Sequence, residues 1–291
     1  MLAVVLSLAA AASFALSAMQ IASVTGRAGP LQLARWQMGL AFVMTAAASV
    51  ALGGWRSIDL AGFLYLAGSS AFGIMLATTT YIATIQILGP RLNALVFTLS
   101  APFALALGYL VRGETVTPAQ GAGVVLILTG IIVALAARAE DGPGPDRRRL
   151  WLGLGLGLVT AMGQAAGSLL ARPAMLAGAE PFTAMAIRSG LGALFFVALL
   201  ALPFARPAAR PDHQALTRIG YSALTGIFLG MSLLMAALAH GGVGIVTTLS
   251  STTPILILPM VWFVSGRPPG GMAWAGAALA VAGTAVITLA A

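Results

Sequence analysis

Few side chains in this 291-residue chain could do chemistry, and their types narrow what that chemistry is. The stretch VTTLSSTTPILILP, Val246 to Pro259, holds six hydroxyls in its first eight positions, followed by two prolines. Arg35 and Arg188 lie inside apolar runs, and His240 is the only histidine in or beside one. The seven acids are Asp59, Glu114, Glu140, Asp141, Asp146, Glu180 and Asp212. All fall at the ends of apolar runs or between them, so no carboxylate sits where proton-for-cation exchange would need one. There is no cysteine, which excludes disulfides, thiolate chemistry and Cys-based metal sites. A lone histidine has no metal partners. No H-E-x-x-H, G-x-S-x-G or G-x-x-x-x-G-K-[ST] is present. The expectation is therefore no catalytic residue, no metal, no cofactor and no ATP site. Hydroxyls and amides that orient a polar ligand remain.

The elements that carry these groups follow from composition. Hydrophobic residues make up 59% and charged residues 8%, with a mean hydropathy of +0.99. A soluble domain needs far more surface charge, so the excess apolar surface faces lipid. The first apolar run lacks a basic leader and is too long for a signal peptide. A bilayer core of about 30 Å takes about 20 apolar residues per helix. Ten runs fit: 2–24, 30–52, 59–86, 91–111, 118–137, 150–172, 181–203, 216–240, 243–264 and 271–290. Unpaired backbone groups are not tolerated in lipid, and the runs lack the alternation of a barrel strand, so all are read as helices. The net charge of +8 comes from arginine alone. Ten arginines fall in odd-numbered loops and three in even-numbered ones. The positive-inside rule then places both termini in the periplasm. The Ala, Gly and Arg bias points to a bacterial source, hence the inner membrane. No basic, aromatic-rich patch suggests a nucleic-acid partner; the partners expected are the bilayer and a small molecule.

The chain also repeats. Displaced by 153 residues, Arg35 falls on Arg188, Gly73-Ile74 on Gly226-Ile227, and Ser100 on Thr253. Of 14 glycines in the first 138 residues, six land on glycine, where chance gives about two. The join is the charged segment 139–149, which separates a first repeat, 1–138, from a second, 150–291. Each repeat holds five spans, an odd number, so the second copy is expected to be inverted. Inverted repeats place substrate between their halves near the midplane.

Individual residues admit two readings each. Six hydroxyls in eight positions cannot share one helix face, since successive residues turn by about 100°. Some bond their own backbone one turn back. Pro254 and Pro259 each remove a donor, and Pro102 makes the same break in the first copy beside Thr98 and Ser100. Broken helices at matching places point to a transporter site. The expected cavity residues are Gln20, Tyr81, Phe97, Ser100, Gln164, Ser168, Thr248, Ser251 and Thr252. The amides among them either glue helices together or line a wet cavity. Arg35 and Arg188 either snorkel to carbonyls or anchor a substrate carboxylate. His240 either caps a helix C-terminus or couples protons. With Pro102 and Pro254, these three form the expected helix-break and gating set. The Gly153–Gly157 and Gly226–Gly230 pairs read as close helix packing.

Five-span repeats in tandem, Arg35 and Arg188 in each second span, Pro102 and Pro254 in each fourth, and the tail GETVTPAQGAGVVLILTG resemble the EamA-type drug/metabolite transporters. Gly113-Glu114 matches that family's Gly-Glu after the fourth span, whereas the second copy has Gly266-Arg267. The resemblance implies an all-α membrane protein that exports small metabolites. Amino acids, including aromatic ones, are the leading expectation. The same family implies sugar-phosphate and nucleotide-sugar carriers as the alternative, and a lipid-acting membrane enzyme is the rival from another class.

Overall fold

A computed structural model describes residues 2–112, 115–140, 146–206, 211–240 and 249–290, and these form helices and connecting turns with no strand among them. The first half comprises α1 (Leu2–Ser23), α2 (Pro30–Ala51), α3 (Leu60–Ser70), α4 (Ala77–Phe97), α5 (Ser100–Arg112) and α6 (Pro118–Glu140). The second comprises α7 (Arg147–Leu176), α8 (Pro181–Ala198), α9 (His213–Ser222), α10 (Ser232–His240), α11 (Thr253–Ser265) and α12 (Gly271–Leu289). A π-helical segment, Ala71–Leu76, joins α3 to α4, and another, Ala223–Met231, joins α9 to α10. Among the described residues, seven continuous helical stretches are long and apolar enough to cross a membrane, one of them running from Leu60 to Phe97. Shorter apolar helices, Ser100–Val111 and Thr253–Ser265, accompany them. Helix α2 has the length, 22 residues, but carries Gln32, Arg35 and Gln37.

In helices apolar on every side, side-chain size decides which face turns inward. Helix α1 buries Ser7, Ala10, Ala11, Ala15, Ser17 and Ala18 and exposes Leu2, Val5, Leu8 and Leu16. Small residues let backbones approach, while large ones meet lipid equally well outside. Helices α6 and α12 show the limit of this. A Cβ added at Gly123 would meet the Gly283 carbonyl oxygen at 2.7 Å, and one at Gly130 would meet that of Gly276 at 2.6 Å. The converse contacts are equally close. Residue numbers rise on one helix as they fall on the other, so the two helices cross antiparallel, backbone against backbone.

The connections explain the breaks. The helix from Leu60 to Phe97 is two helices meeting at Gly89, whose φ of 81° and ψ of 165° suit glycine alone. Pro90 follows and has no N–H to continue the ladder. The expected gap between the third and fourth runs is therefore a one-residue turn. The fourth run then breaks at Thr98–Leu99, just before α5, whose third residue is Pro102. The ninth run breaks at Ser251–Thr252, 153 residues further on, before Pro254. The two π segments and the N-caps of α3 and α9 also coincide at this spacing. Asp59 Oδ1 accepts from Gly62 N at 2.7 Å, and Asp212 Oδ1 from Ala215 N at 2.6 Å. Both α2 and α8 open with proline, a residue suited to a first helical position. Helix α6 continues to Glu140, and α7 opens at Arg147, capped by Asp146.

The two largest buried apolar clusters among the described residues both mix the halves. One joins Ala15 and Ile21 of α1, Met38 of α2 and Ile82 of α4 to Phe196 of α8, Ile219 of α9 and Ile257 of α11. The other joins Leu95 of α4 and Ile127 of α6 to Ala161 of α7, Leu258 of α11 and Ala277 of α12.

Candidate functional site

Between these clusters lies a cavity of about 260 Å³. Its wall is built from both halves: Phe14 and Ser17 of α1, Gln37 of α2, Gly73 of the first π segment and Tyr81 and Phe97 of α4 come from the first. Thr160, Gln164 and Ser168 of α7, Gly226 and Met231 of the second π segment, and Ser250, Ser251 and Pro254 come from the second. Both helix breaks thus open onto it, with Thr98 and Ser100 on one side and Ser250, Ser251, Thr253 and Pro254 on the other. Among the described residues the wall carries no acid, arginine or histidine. It is apolar surface punctuated by hydroxyls and amides.

Local chemistry at the breaks decides which hydroxyls face the space. Thr98 Oγ1 donates to Leu95 O at 2.6 Å, and Thr252 Oγ1 to Leu249 O at 2.7 Å. Each adds a second bond to a carbonyl that already accepts the same residue's N–H, at 3.1 Å for Thr98 and 3.2 Å for Thr252. Pro254 frees the Ser250 carbonyl, and Thr253 Oγ1 donates to it at 3.1 Å. The Ser250 hydroxyl itself is buried with no partner among the described residues. On the aromatic side, the Tyr81 and Phe97 rings meet edge to face, 5.8 Å between centroids. Gln164 Nε2 and Ser168 Oγ, one turn apart, lie 3.4 Å from each other. Gln37 Nε2 donates to Ser222 Oγ at 2.7 Å, and Ser222 Oγ lies 2.9 Å from Ser17 Oγ. That network ties α1, α2 and α9 at the cavity's edge.

Of the residues expected from sequence, Tyr81, Phe97, Ser100, Gln164, Ser168 and Ser251 come together here. Thr252 does not line the space, and its hydroxyl is turned back on its own helix. Gln20 sits at the end of α1, where its Oε1 accepts from Arg218 Nη1 at 3.1 Å. Thr248 and Glu114 lie outside the described residues. Pro254 reaches the wall and Pro102 does not. His240 is exposed at the end of α10, its Nδ1 2.9 Å from Ala236 O, the geometry of a C-terminal cap. Sequence reasoning missed Ser17, Gln37 and Ser250. Gln37 had a signal, an uncharged amide two residues past Arg35 in an apolar helix.

The two arginines differ. Arg35 is half-buried, and its Nε and Nη2 donate to the carbonyls of Phe196 at 3.0 Å and Ala205 at 3.1 Å. Arg188 is 1% exposed, and its Nε and Nη2 have no partner. Its Nη1 reaches only Met185 Sδ, at 3.6 Å.

The EamA-like transporter family matches this sequence in two stretches, residues 1–136 and 151–289. The chain belongs to that family. As an EamA-like protein it is a multi-pass membrane transporter of the drug/metabolite transporter superfamily, a family of transporters rather than enzymes. Comparison with curated proteins returns no match. A crystal structure of another protein shares 21% identity and a TM-score of 0.70, covering 98% of this chain and 96% of that one. At that identity the likeness speaks to the EamA-like fold alone.

Proposed function

We propose that this EamA-like protein is a secondary exporter of small amphipathic metabolites, amino acids including aromatic ones. It has ten spans as two inverted five-helix halves, residues 1–138 and 150–291, joined by the charged segment. Substrate binds in the cavity between the halves, which rock to open it to one side and then the other. The observation that carries this reading is the cavity itself, walled by equivalent broken helices from both halves. Inversion is supported by the antiparallel crossing of α6 and α12, the repeat-equivalent last helices. Gly123 meets Gly283 and Gly130 meets Gly276, a pairing that exchanges with itself under the 153-residue displacement. Such self-complementary contact is what a two-fold axis generates.

Size and polarity support the substrate class. Ligand pockets run from about 300 to 1,000 Å³, and about 260 Å³ suits a small metabolite better than a nucleotide sugar. The Tyr81–Phe97 pair offers an aromatic wall, and hydroxyls and amides offer orienting contacts. No acid in the described wall can hold a proton against a cation. The arginine distribution supports an inner-membrane protein with periplasmic termini. Counterflow of labelled phenylalanine, tyrosine and alanine into proteoliposomes tests this reading. Saturable exchange without ATP is the expected result. Uptake of a nucleotide sugar with no amino-acid exchange would replace the substrate class, and turnover of lipid without flux would overturn the transporter mechanism proposed for this cavity.

A further inference from the structure

Arg188 is a full charge buried inside a membrane protein with two donor nitrogens unpaired. A guanidinium in that state is costly, by several kcal/mol, unless an anion or well-placed acceptors compensate it. The repeat-equivalent Arg35 is compensated by two carbonyls, so the fold can satisfy an arginine at this position and does so in only one half. The only ion pair among the described residues joins Arg27 and Asp212 at the surface, 4.0 Å apart.

Position supplies the second observation. Gly73 lines the cavity, and a Cβ added to it would sit 2.8 Å from Arg188 Nη2. The guanidinium does not itself line the cavity; it rests against a wall residue that has no side chain. Gly73 also lies in the π segment Ala71–Leu76, and the two serines just before that segment tie it to α7 and α8. Ser69 Oγ donates to Gly167 O at 2.6 Å, and Ser70 Oγ to the Arg188 carbonyl at 2.7 Å. The arginine is thus held by its backbone while its charged end stays uncommitted.

We propose that Arg188 is the anion-binding group of the cavity, pairing through Nε and Nη2 with a carboxylate seated at the Gly73 wall. This deepens the transport reading above and rests on it. The forked donors match a carboxylate in two parallel hydrogen bonds, which lysine cannot reproduce. The wall's neutral hydroxyls and aromatic rings then hold the rest of the molecule. The substrate class becomes small amphipathic molecules bearing an anionic group, and a neutral analogue leaves the guanidinium unpaired.

The test is binding to the purified full-length protein, measured by calorimetry with probes matched except for charge. The pairs are phenylalanine against phenylalaninamide, and phenylacetate against phenylacetamide. The wild type is expected to bind the acid of at least one pair about tenfold or more tighter than its amide. Arg188→Met is expected to erase that preference while leaving amide binding unchanged, and Arg188→Lys to restore it only in part. A merely structural arginine would weaken acid and amide alike. Gly73→Ala, which crowds Nη2, is expected to reduce acid binding with Arg188 intact. Preference in the phenylacetate pair alone would uphold the anion site and reject amino acids as substrates. Equal binding of acid and amide, no binding of either acid, or a preference that survives Arg188→Met would overturn the proposal.

Discussion

Arg35 and Arg188 stand 153 residues apart at equivalent places in the two halves, yet they meet opposite surroundings. The first sits half-buried with its nitrogens on main-chain carbonyls; the second is buried with two nitrogens unpaired beside a cavity-wall glycine. The scaffold is shared between the halves, down to the caps, the π segments and the breaks. What the scaffold presents to the centre is not. A duplicated fold can keep its frame symmetric, where packing demands it, and let the lining diverge, where a ligand demands it.

The sharpest way to break this comparison is at the frame. Gly130→Val puts a branched side chain where the Gly276 carbonyl oxygen lies 2.6 Å from an ideal Cβ. Overpacking against backbone costs about 2 kcal/mol or more. Gly283→Val, at the position equivalent to Gly130, should cost about as much as Gly130→Val, because the crossing is self-complementary. Gly121→Val, two positions from Gly123 on the same helix and with open space around it, should cost far less. The midpoint of thermal unfolding in detergent checks all three.

The lining should respond unequally. Tyr81→Ala removes a ring from the edge-to-face pair with Phe97 and should raise the KM for an aromatic substrate by about tenfold. Ser250→Ala removes a buried hydroxyl that has no protein partner. It should raise KM about threefold to tenfold with no loss of thermal stability. Thr252→Ala removes a hydroxyl spent on Leu249 O, and it should lower stability slightly and leave KM unchanged. Reversal of that last pair would mean that the wrong face of the broken helix has been assigned to the cavity.

The smallest effects test the symmetry of the frame most finely. Asp59→Ala and Asp212→Ala delete the same N-cap in the two halves, each at about 1 kcal/mol. Nearly equal shifts in unfolding midpoint are expected. Only Asp212 also faces Arg27, across 4.0 Å at the surface, and an exposed pair of that kind adds about 0 to 1 kcal/mol.

Much of this was legible in the sequence, for reasons that differ by feature. Apolar runs betray lipid-facing helices because lipid rewards nothing else. Prolines at 102 and 254 betray broken helices because a missing N–H cannot be hidden. Phe97, Ser100 and Ser251 followed from proximity to those breaks, and Tyr81 from its place before the third-to-fourth connection. The π segments were not legible, because Ala71–Leu76 and Ala223–Met231 read as ordinary apolar helix. Thr252 and Ser250 were not separable either: one hydroxyl turns back on its helix and its neighbour does not, which is a matter of side-chain rotation. Gln20 looked like a span residue until its partner, Arg218, 198 positions away, was seen beside it. The repeat-equivalent caps, Asp59 and Asp212, were in plain view at the 153-residue spacing, but acids outside the spans drew no comparison.

The central claim is that the space between the halves is a substrate site opened to each side in turn. The chain has no cysteine, so a single Ser100→Cys at the first break is a clean reporter. Oriented proteoliposomes carrying it are exposed to a membrane-impermeant thiol reagent from outside or from inside. Labelling from either side, slowed by a transported substrate, is the predicted result. Labelling from neither side, or from one side only and indifferent to substrate, would contradict it.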